Sequence, residues 1–367
     1  MVGLPQKARL LRGLLGGDRA RGGPVYVSVD VTRRCNLKCV GCRFHSPHAN
    51  LPSPGDASVR DLDVGMFRGL CGELQTLGTS SMLLLGEGEP LLHPSIFEMI
   101  AIAKEAGFYV TLFTNGTLLD RERIGALIGS GLDNLQVSLW ASSRAEYELS
   151  YPGTDPARFD TVIGNLTQFA SQKAASRSRV PRVVLHSTMT RFNSRSAAAL
   201  AELALQSRCD GLSLWPLRTV KGQLDSMAIA QVDEPDLLGS LAALRRRLDG
   251  LSLEHNVRQL ELSYRVGREV WRRYPCYIGW IHSKIKTDGT VVPCSDCDLV
   301  LGSLGEAGFA EIWNGASYRQ FRRQTRTRAG LSALAGPCDC GFCCHLENNT
   351  RVHRFARWLP PVARTIR

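Results

Sequence analysis

Three thiols crowd the stretch "RRCNLKCVGC", where Cys35, Cys39 and Cys42 are spaced three then two. Thiolates suit soft metals, and iron–sulfur clusters are held by cysteine. Three such ligands would leave one iron of a four-iron cluster open to a group the protein does not supply. The alternative on spacing alone is a zinc site that borrows a distant fourth ligand, such as His45. A second set lies toward the C-terminus: Cys276, Cys294, Cys297, Cys338, Cys340, Cys343 and Cys344. A zinc ribbon would pair Cys294-x2-Cys297 with Cys340-x2-Cys343. Forty-two residues separate those pairs, against about 15–20 in a ribbon. Cys71 and Cys209 stand alone in apolar stretches and read as core.

These residues need a scaffold. Buried strands are predicted at "VYVSVDV", before "GEGEP", and at "FYVTLFT", "NLQVSLW", "RVVLHSTMT" and "GLSLWPL". Helical patterns lie between them near 64–77, 94–106, 120–130, 156–175 and 194–207, the last opening with Ser194 as N-cap. Such alternation implies a parallel sheet with right-handed crossovers, closed or partly closed into a barrel. In such barrels chemistry sits on the loops after the strands, and the first three cysteines follow the first strand.

The cysteine spacing in that position resembles the radical S-adenosylmethionine (SAM) superfamily, whose open iron is chelated by the amino and carboxylate groups of the cofactor's methionine. In that family a Gly-Glu-Pro turn after the second strand holds the methionine amino group. "GEGEP" ends the second strand here: Gly86 and Gly88 permit close backbone approach, Glu89 is an anionic acceptor, and Pro90 follows. Thr114 and Asn115 in "TNG" and Ser138 in "SLW" match the family's positions near the ribose and methionine. "HSTMTRFN", opening with His186, resembles the stretch lining the adenosine pocket, although His186 equally suits a satisfied core histidine. Many members carry an aromatic residue before the third cysteine; this chain has Gly41.

The C-terminal context "KTDGTVVPCSDC" and "EIWNG" resembles the auxiliary-cluster extension called SPASM or twitch. Asp288-Gly289 between apolar runs is a hairpin turn on its own physics. Seventeen residues separate Cys276 from Cys294, like the four-ligand twitch form. Neighbouring side chains of an extended backbone face opposite ways, so Cys343 and Cys344 do not easily serve one cluster. The resemblance then implies Cys276, Cys294, Cys340 and Cys343 as ligands of one auxiliary [4Fe-4S] cluster, beside the SAM-ligated [4Fe-4S] cluster on Cys35, Cys39 and Cys42. Cys297, Cys338 and Cys344 are left as thiols, secondary ligands or hydrogen donors.

Composition agrees with an enzyme of this kind. The chain has 367 residues, 44% hydrophobic and 22% charged, enough for a large core. Of the net charge of +11, residues 1–25 hold +4 and residues 351–367 hold +5, leaving +2 for the body. That distribution argues against nucleic acid as a partner. The basic ends mix arginine with Phe355, Trp358 and Leu359, a pattern that can rest on an anionic membrane surface. "RQFRRQTRTR", Arg319 to Arg328, reads as a solvated helix face. Lys7, Arg9 and Arg12 interrupt any signal-peptide core, and no run of eighteen apolar residues occurs, so the chain reads as cytoplasmic.

The expected architecture is α/β: a basic extension over 1–24 and a partial (β/α)6 barrel over 25–250. A cysteine-rich auxiliary iron–sulfur domain over 251–350 and a basic amphipathic tail over 351–367 complete it. The resemblance implies reductive cleavage of SAM, with a 5′-deoxyadenosyl radical taking a substrate hydrogen and a flavodoxin- or ferredoxin-type protein as electron donor. It implies two-electron oxidation of a small polar metabolite such as a sugar or aminocyclitol, or of a peptide. The short segment before the first strand lowers the peptide in that ranking. Redox-neutral epimerisation is the second reading, and a non-catalytic iron–sulfur or zinc scaffold the third.

Overall fold

The structure is a computed structural model, and it describes residues 4–49, 55–219, 222–267, 274–338 and 343–356. A helix, α1 (Leu4–Leu15), precedes the first strand. Six strands then alternate with helices: β1 (Tyr26–Asp30), α2 (Val64–Leu77), β2 (Ser81–Leu85), α3 (Ile96–Glu105), β3 (Tyr109–Thr114), α4 (Arg121–Gly129) and β4 (Asn134–Ser138). They continue with α5 (Arg144–Ser150), α6 (Arg158–Ala175), β5 (Arg182–Met189), α7 (Ala197–Gln206) and β6 (Gly211–Pro216). The helices carry local signals of their own. Asp63 caps α2 by accepting from the Met66 N–H, and Gly78 ends it at φ 79°. Asp120 caps α4 through the Arg123 N–H.

All six strands are parallel neighbours in chain order. Val27 and Val29 are fully buried in one core with Phe67, Leu70 and Leu74 of α2. Alternation along a strand therefore turns Tyr26, Ser28 and Asp30 to the opposite, inner face. Two features extend the expected sheet. A two-residue strand β7 (Glu254–His255), between α8 (Glu234–Leu248) and α9 (Val257–Val266), pairs with β6. On the other edge β8 (His282–Ile285) joins β1 in parallel, with β9 (Thr290–Val292) and β10 (Gly302–Ser303) antiparallel beyond it. The cysteine-rich region thus continues the barrel's own sheet. Asp288-Gly289 forms the β8–β9 hairpin as expected, with Gly289 at φ 84° and its N–H on the Lys286 carbonyl.

Two local expectations fail. Ser194 caps nothing: α7 starts at Ala197, Ser194 Oγ faces the Arg191 carbonyl, and Ser196 Oγ goes to Glu146. The basic run Arg319–Arg328 is not a solvated face, because Arg322 is fully buried. Its guanidinium donates to the carbonyls of Gly279, Trp313 and Asp18, and its centre sits 4.5 Å from the Trp313 ring. A planar cation whose donors all meet carbonyls, with aromatic rings against its faces, can be buried where a lone charge cannot. Arg322 and Arg326 also accept the turn after α1 as a partner, donating to Asp18 and Gly17 carbonyls. The N-terminal extension is thereby docked on the body. Trp358 and Leu359 of the tail lie outside the described residues, and no helix among the described residues is long and apolar enough to cross a membrane.

Candidate active site

The loop after β1 carries Cys35, Cys39 and Cys42 and is pinned on three sides. Asn36 Nδ2 donates to Thr117 Oγ1 at 2.8 Å, and Asn115 Nδ2 donates to Asn36 Oδ1 at 2.8 Å, tying the loop to the end of β3. The Gly88 N–H donates to the Thr32 carbonyl and the Glu89 N–H to the Arg34 carbonyl, tying it to the turn after β2. Arg43 Nη2 reaches both Asp298 oxygens, at 2.5 and 2.6 Å, tying it to the segment after β9. The N–H groups of Phe44 and His45 both lie 3.4 Å from Cys42 Sγ. Burial pushes the Cys35 thiol up to about 11 and raises Cys39 and Cys42 as well; Cys42 adds to the shifts of Cys35 and Cys39, Cys35 to that of Cys39, and Glu87 to that of Cys42. Desolvated thiols of this kind ionise when a metal supplies the positive charge.

Glu89 is 2% exposed and is the hub beside this loop. Its Oε1 accepts from the Leu91 N–H at 3.1 Å and Thr114 Oγ1 at 2.7 Å, and its Oε2 accepts from the Asn115 N–H at 2.6 Å. Burial raises its pKa, and these three donors oppose that rise. A carboxylate offers about four lone-pair positions, so one remains for a cationic ligand. Pro90 opens a single 3-10 turn that Glu89 caps. Thr114 and Asn115 are therefore brought onto Glu89. Ser138 sits at the end of β4 beside His186 of β5 and accepts from Trp140 Nε1 at 3.0 Å. His186 packs edge-on against Phe113, and Nδ1 has no hydrogen-bond partner. Burial, with Arg218 beside it, lowers its pKa to about 4, so the ring is neutral.

Gly41 has a physical reason. A Cβ there would overlap Leu217 Cδ1 and lie 3.0 Å from the Trp140 ring. The space beside the third cysteine is already occupied by an aromatic side chain from the β4 loop.

The chain also matches known families. Residues 29–169 fit the model of the radical SAM superfamily, and residues 276–344 fit SPASM, an iron–sulfur cluster-binding domain. The chain thus carries a radical SAM domain followed by a SPASM domain. Its SPASM match bears out the C-terminal auxiliary-cluster extension expected from the sequence. The PqqA peptide cyclase of Rhodopseudomonas palustris is 25% identical over 339 residues, spanning 88% of this chain and 80% of that one. The cyclase of Ruegeria pomeroyi is 27% identical over 318 residues, 82% of this chain and 76% of the relative. Among solved structures, Streptococcus suis SuiB bound to S-adenosylmethionine has a TM-score of 0.64 at 16% identity, covering 89% of this chain and 74% of its own. The structure of anSMEcpe with bound AdoMet has a TM-score of 0.63 at 15% identity, covering 93% of this chain and 97% of its own. The radical SAM domain implies a SAM-binding [4Fe-4S] cluster, and the SPASM domain implies auxiliary clusters.

The residues present fit the first cluster by donor set: three half-buried thiols, two N–H groups at one sulfur, and an anionic hub. The fit rests on that chemistry rather than on preformed ligand geometry, since among the described residues no three Cys, His, Asp or Glu side chains already converge as metal ligands. In the SPASM region Cys276 and Cys294 are buried; Cys344 hydrogen-bonds with Cys294 and acts electrostatically on Cys276. A hydrogen bond from Cys294 pulls the Cys344 thiol well below its ordinary value, with His345 and Arg218 assisting against burial. Cys343 instead faces the His345 N–H at 3.3 Å and Asn349 Nδ2 at 3.8 Å. Cys297 and Cys338 are joined as a disulfide, so neither is a free thiol here. Cys340, assigned as a ligand from the sequence, lies outside the described residues.

Sequence reasoning missed Arg218 and Asp296. Arg218 follows β6 and donates to Asp296 Oδ1 at 2.5 Å, between Cys294 and Cys297. This contact joins the loop after β6 to the segment after β9 on the opposite edge, which is possible only because the sheet is curved into a partial barrel. Only its place after a strand could have flagged Arg218.

Proposed function

We propose that the chain is a peptide-modifying radical SAM enzyme that removes two electrons and two hydrogens from its substrate, forming a cross-link or an unsaturated bond. When bound, the cluster and SAM supply a 5′-deoxyadenosyl radical that takes one hydrogen atom from an unactivated C–H. The observation that carries the reading is the relatives: PqqA peptide cyclases match over 82–88% of this chain, and SuiB is known bound to its precursor peptide SuiA. This reverses the ranking drawn from the short N-terminal segment.

The chain's residues support that role. Glu89 has one acceptor position left for an ammonium group, and Thr114 and Asn115 hold it in place. The inner faces of β1, β4, β5 and β6 present Ser28, Gln136, His186 and Trp215, a wall of polar and aromatic groups suited to a peptide backbone. The Cys276, Cys294 and Cys344 group is where an auxiliary cluster would be held, by our reading with Cys344 in the set.

Anaerobic reconstitution, reduction and addition of SAM should yield 5′-deoxyadenosine, absent from a Cys35→Ala control. Added short peptides encoded beside the gene should then lose the mass of two hydrogens. A sugar or aminocyclitol losing two hydrogens while every peptide stays unchanged would overturn the peptide reading and leave the radical chemistry standing.

A further inference from the structure

Between the cysteine loop and the β8–β9 hairpin lies a buried array of five charged groups to which the family comparison assigns nothing. Lys284 and Lys286, two residues apart, project from the same face of β8 and its continuation. Lys284 Nζ is 3.0 Å and Lys286 Nζ 3.2 Å from Asp30 Oδ2, at the end of β1. Lys286 also pairs with Glu87 Oε1, and Arg33 Nε lies 2.7 Å from Glu87 Oε2. Side-chain exposures of Asp30, Glu87, Lys284 and Lys286 run from 0% to 6%. Removing so many ions from water is expensive, and an apolar cluster of equal volume would often be as stable. A purely structural reason is therefore weak.

Position suggests another reason. Glu87 belongs to the turn whose N–H groups bond the Thr32 and Arg34 carbonyls, so it is held against the cysteine loop. Lys286 Nζ lies 4.9 Å from the Phe44 ring centre, and the Phe44 N–H is 3.4 Å from Cys42 Sγ. Phe44 thus stands between Lys286 and Cys42, a thiol that must carry negative charge to hold metal, and Glu87 acts electrostatically on the same thiol. In low dielectric such fixed charges act strongly over this range.

We propose that Lys286 and Glu87 set the electrostatic potential at the Cys35, Cys39 and Cys42 site, with Lys286 and Arg33 masking a carboxylate that would otherwise oppose reduction of the group bound there. Adding an electron to a thiolate-ligated cluster is favoured by nearby positive charge and disfavoured by negative charge. Unmasking Glu87 therefore makes the cluster harder to reduce, and neutralising Glu87 makes it easier.

The test uses full-length reconstituted protein and no substrate, so it does not depend on what the enzyme acts on. The midpoint potential is followed by electron paramagnetic resonance on the signal that changes when SAM is added, which separates this cluster from auxiliary ones. Lys286→Met should shift the potential negative, Glu87→Gln positive, and the double variant should return close to wild type. Iron content of each variant is measured alongside. Unchanged potentials, shifts of the same sign in both single variants, or loss of the SAM-responsive cluster in all three would overturn the proposal and make the array a fold support only.

Discussion

Gly88 and Arg34 meet backbone to backbone, and a Cβ on Gly88 would overlap the Arg34 carbonyl oxygen. The turn that carries Glu89 can approach the cysteine loop only because residue 88 has no side chain. Gly88→Ala should separate the two loops and cost about 1–3 kcal/mol of stability. The separation also moves Glu89 from the cysteine loop, so SAM binding should fall more than tenfold. Denaturant unfolding and equilibrium binding of SAM to reconstituted protein check both parts, and full SAM affinity in the variant would refute the contact's role.

The occupied space at Gly41 makes a paired prediction. Gly41→Ala pushes into Leu217 and toward Trp140, at about 1–3 kcal/mol. Adding Leu217→Ala should restore much of the SAM affinity while lowering stability further through the cavity. If Leu217→Ala brings no recovery, the crowding is not at Leu217.

Iron content discriminates between the ligand sets. Replacing Cys35, Cys39 and Cys42 together by alanine should remove about four iron atoms per chain and abolish 5′-deoxyadenosine formation. Cys344→Ala should lower auxiliary iron, because Cys344 hydrogen-bonds with Cys294 and acts electrostatically on Cys276. Cys340→Ala tests the ligand assigned from sequence in the same assay. Total iron near eight per chain in the wild type means one auxiliary cluster, and near twelve means two. Mössbauer spectra with sulfide analysis give the count.

His186 gives a pH signature. Burial, then Arg218, holds its pKa near about 4 in the fold, against 6.5 ordinarily. Between those values the unfolded chain binds a proton that the folded chain refuses, so stability falls as pH drops through that window. His186→Gln should flatten the fall, seen as a smaller difference in Tm between pH 6.5 and 4.5. The ring is neutral throughout neutral pH, so 5′-deoxyadenosine formation should show no step near 6.5 from this residue. Identical pH dependence of Tm in variant and wild type would count against the enclosed ring.

Much of this protein was legible in its sequence. The strands formed where apolar runs ended in turn residues, and α2 matched its expected span to the residue, because Asp63 and Gly78 are local stop signals. The cysteine loop, the Glu89 turn and the Asp288-Gly289 hairpin are likewise local, each fixed by neighbours within a few positions. Ser194 failed locally, its hydroxyl turning back to the Arg191 carbonyl, whereas the Arg319–Arg328 reading failed on distant partners. Arg322 looked exposed until Trp313 and the turn after α1 closed over it. The preference for Cys343 over Cys344 rested on an extended backbone, and the structure adds a hydrogen bond between Cys344 and Cys294 that the sequence did not show. Amino-acid order by itself determined the alternating elements and the thiol chemistry, since periodicity, caps and ligand spacing are short-range properties. Only the tertiary structure decided which charges face the cysteine loop and that Arg218 meets Asp296, because those contacts join residues tens to hundreds of positions apart and exist only once the sheet has curved.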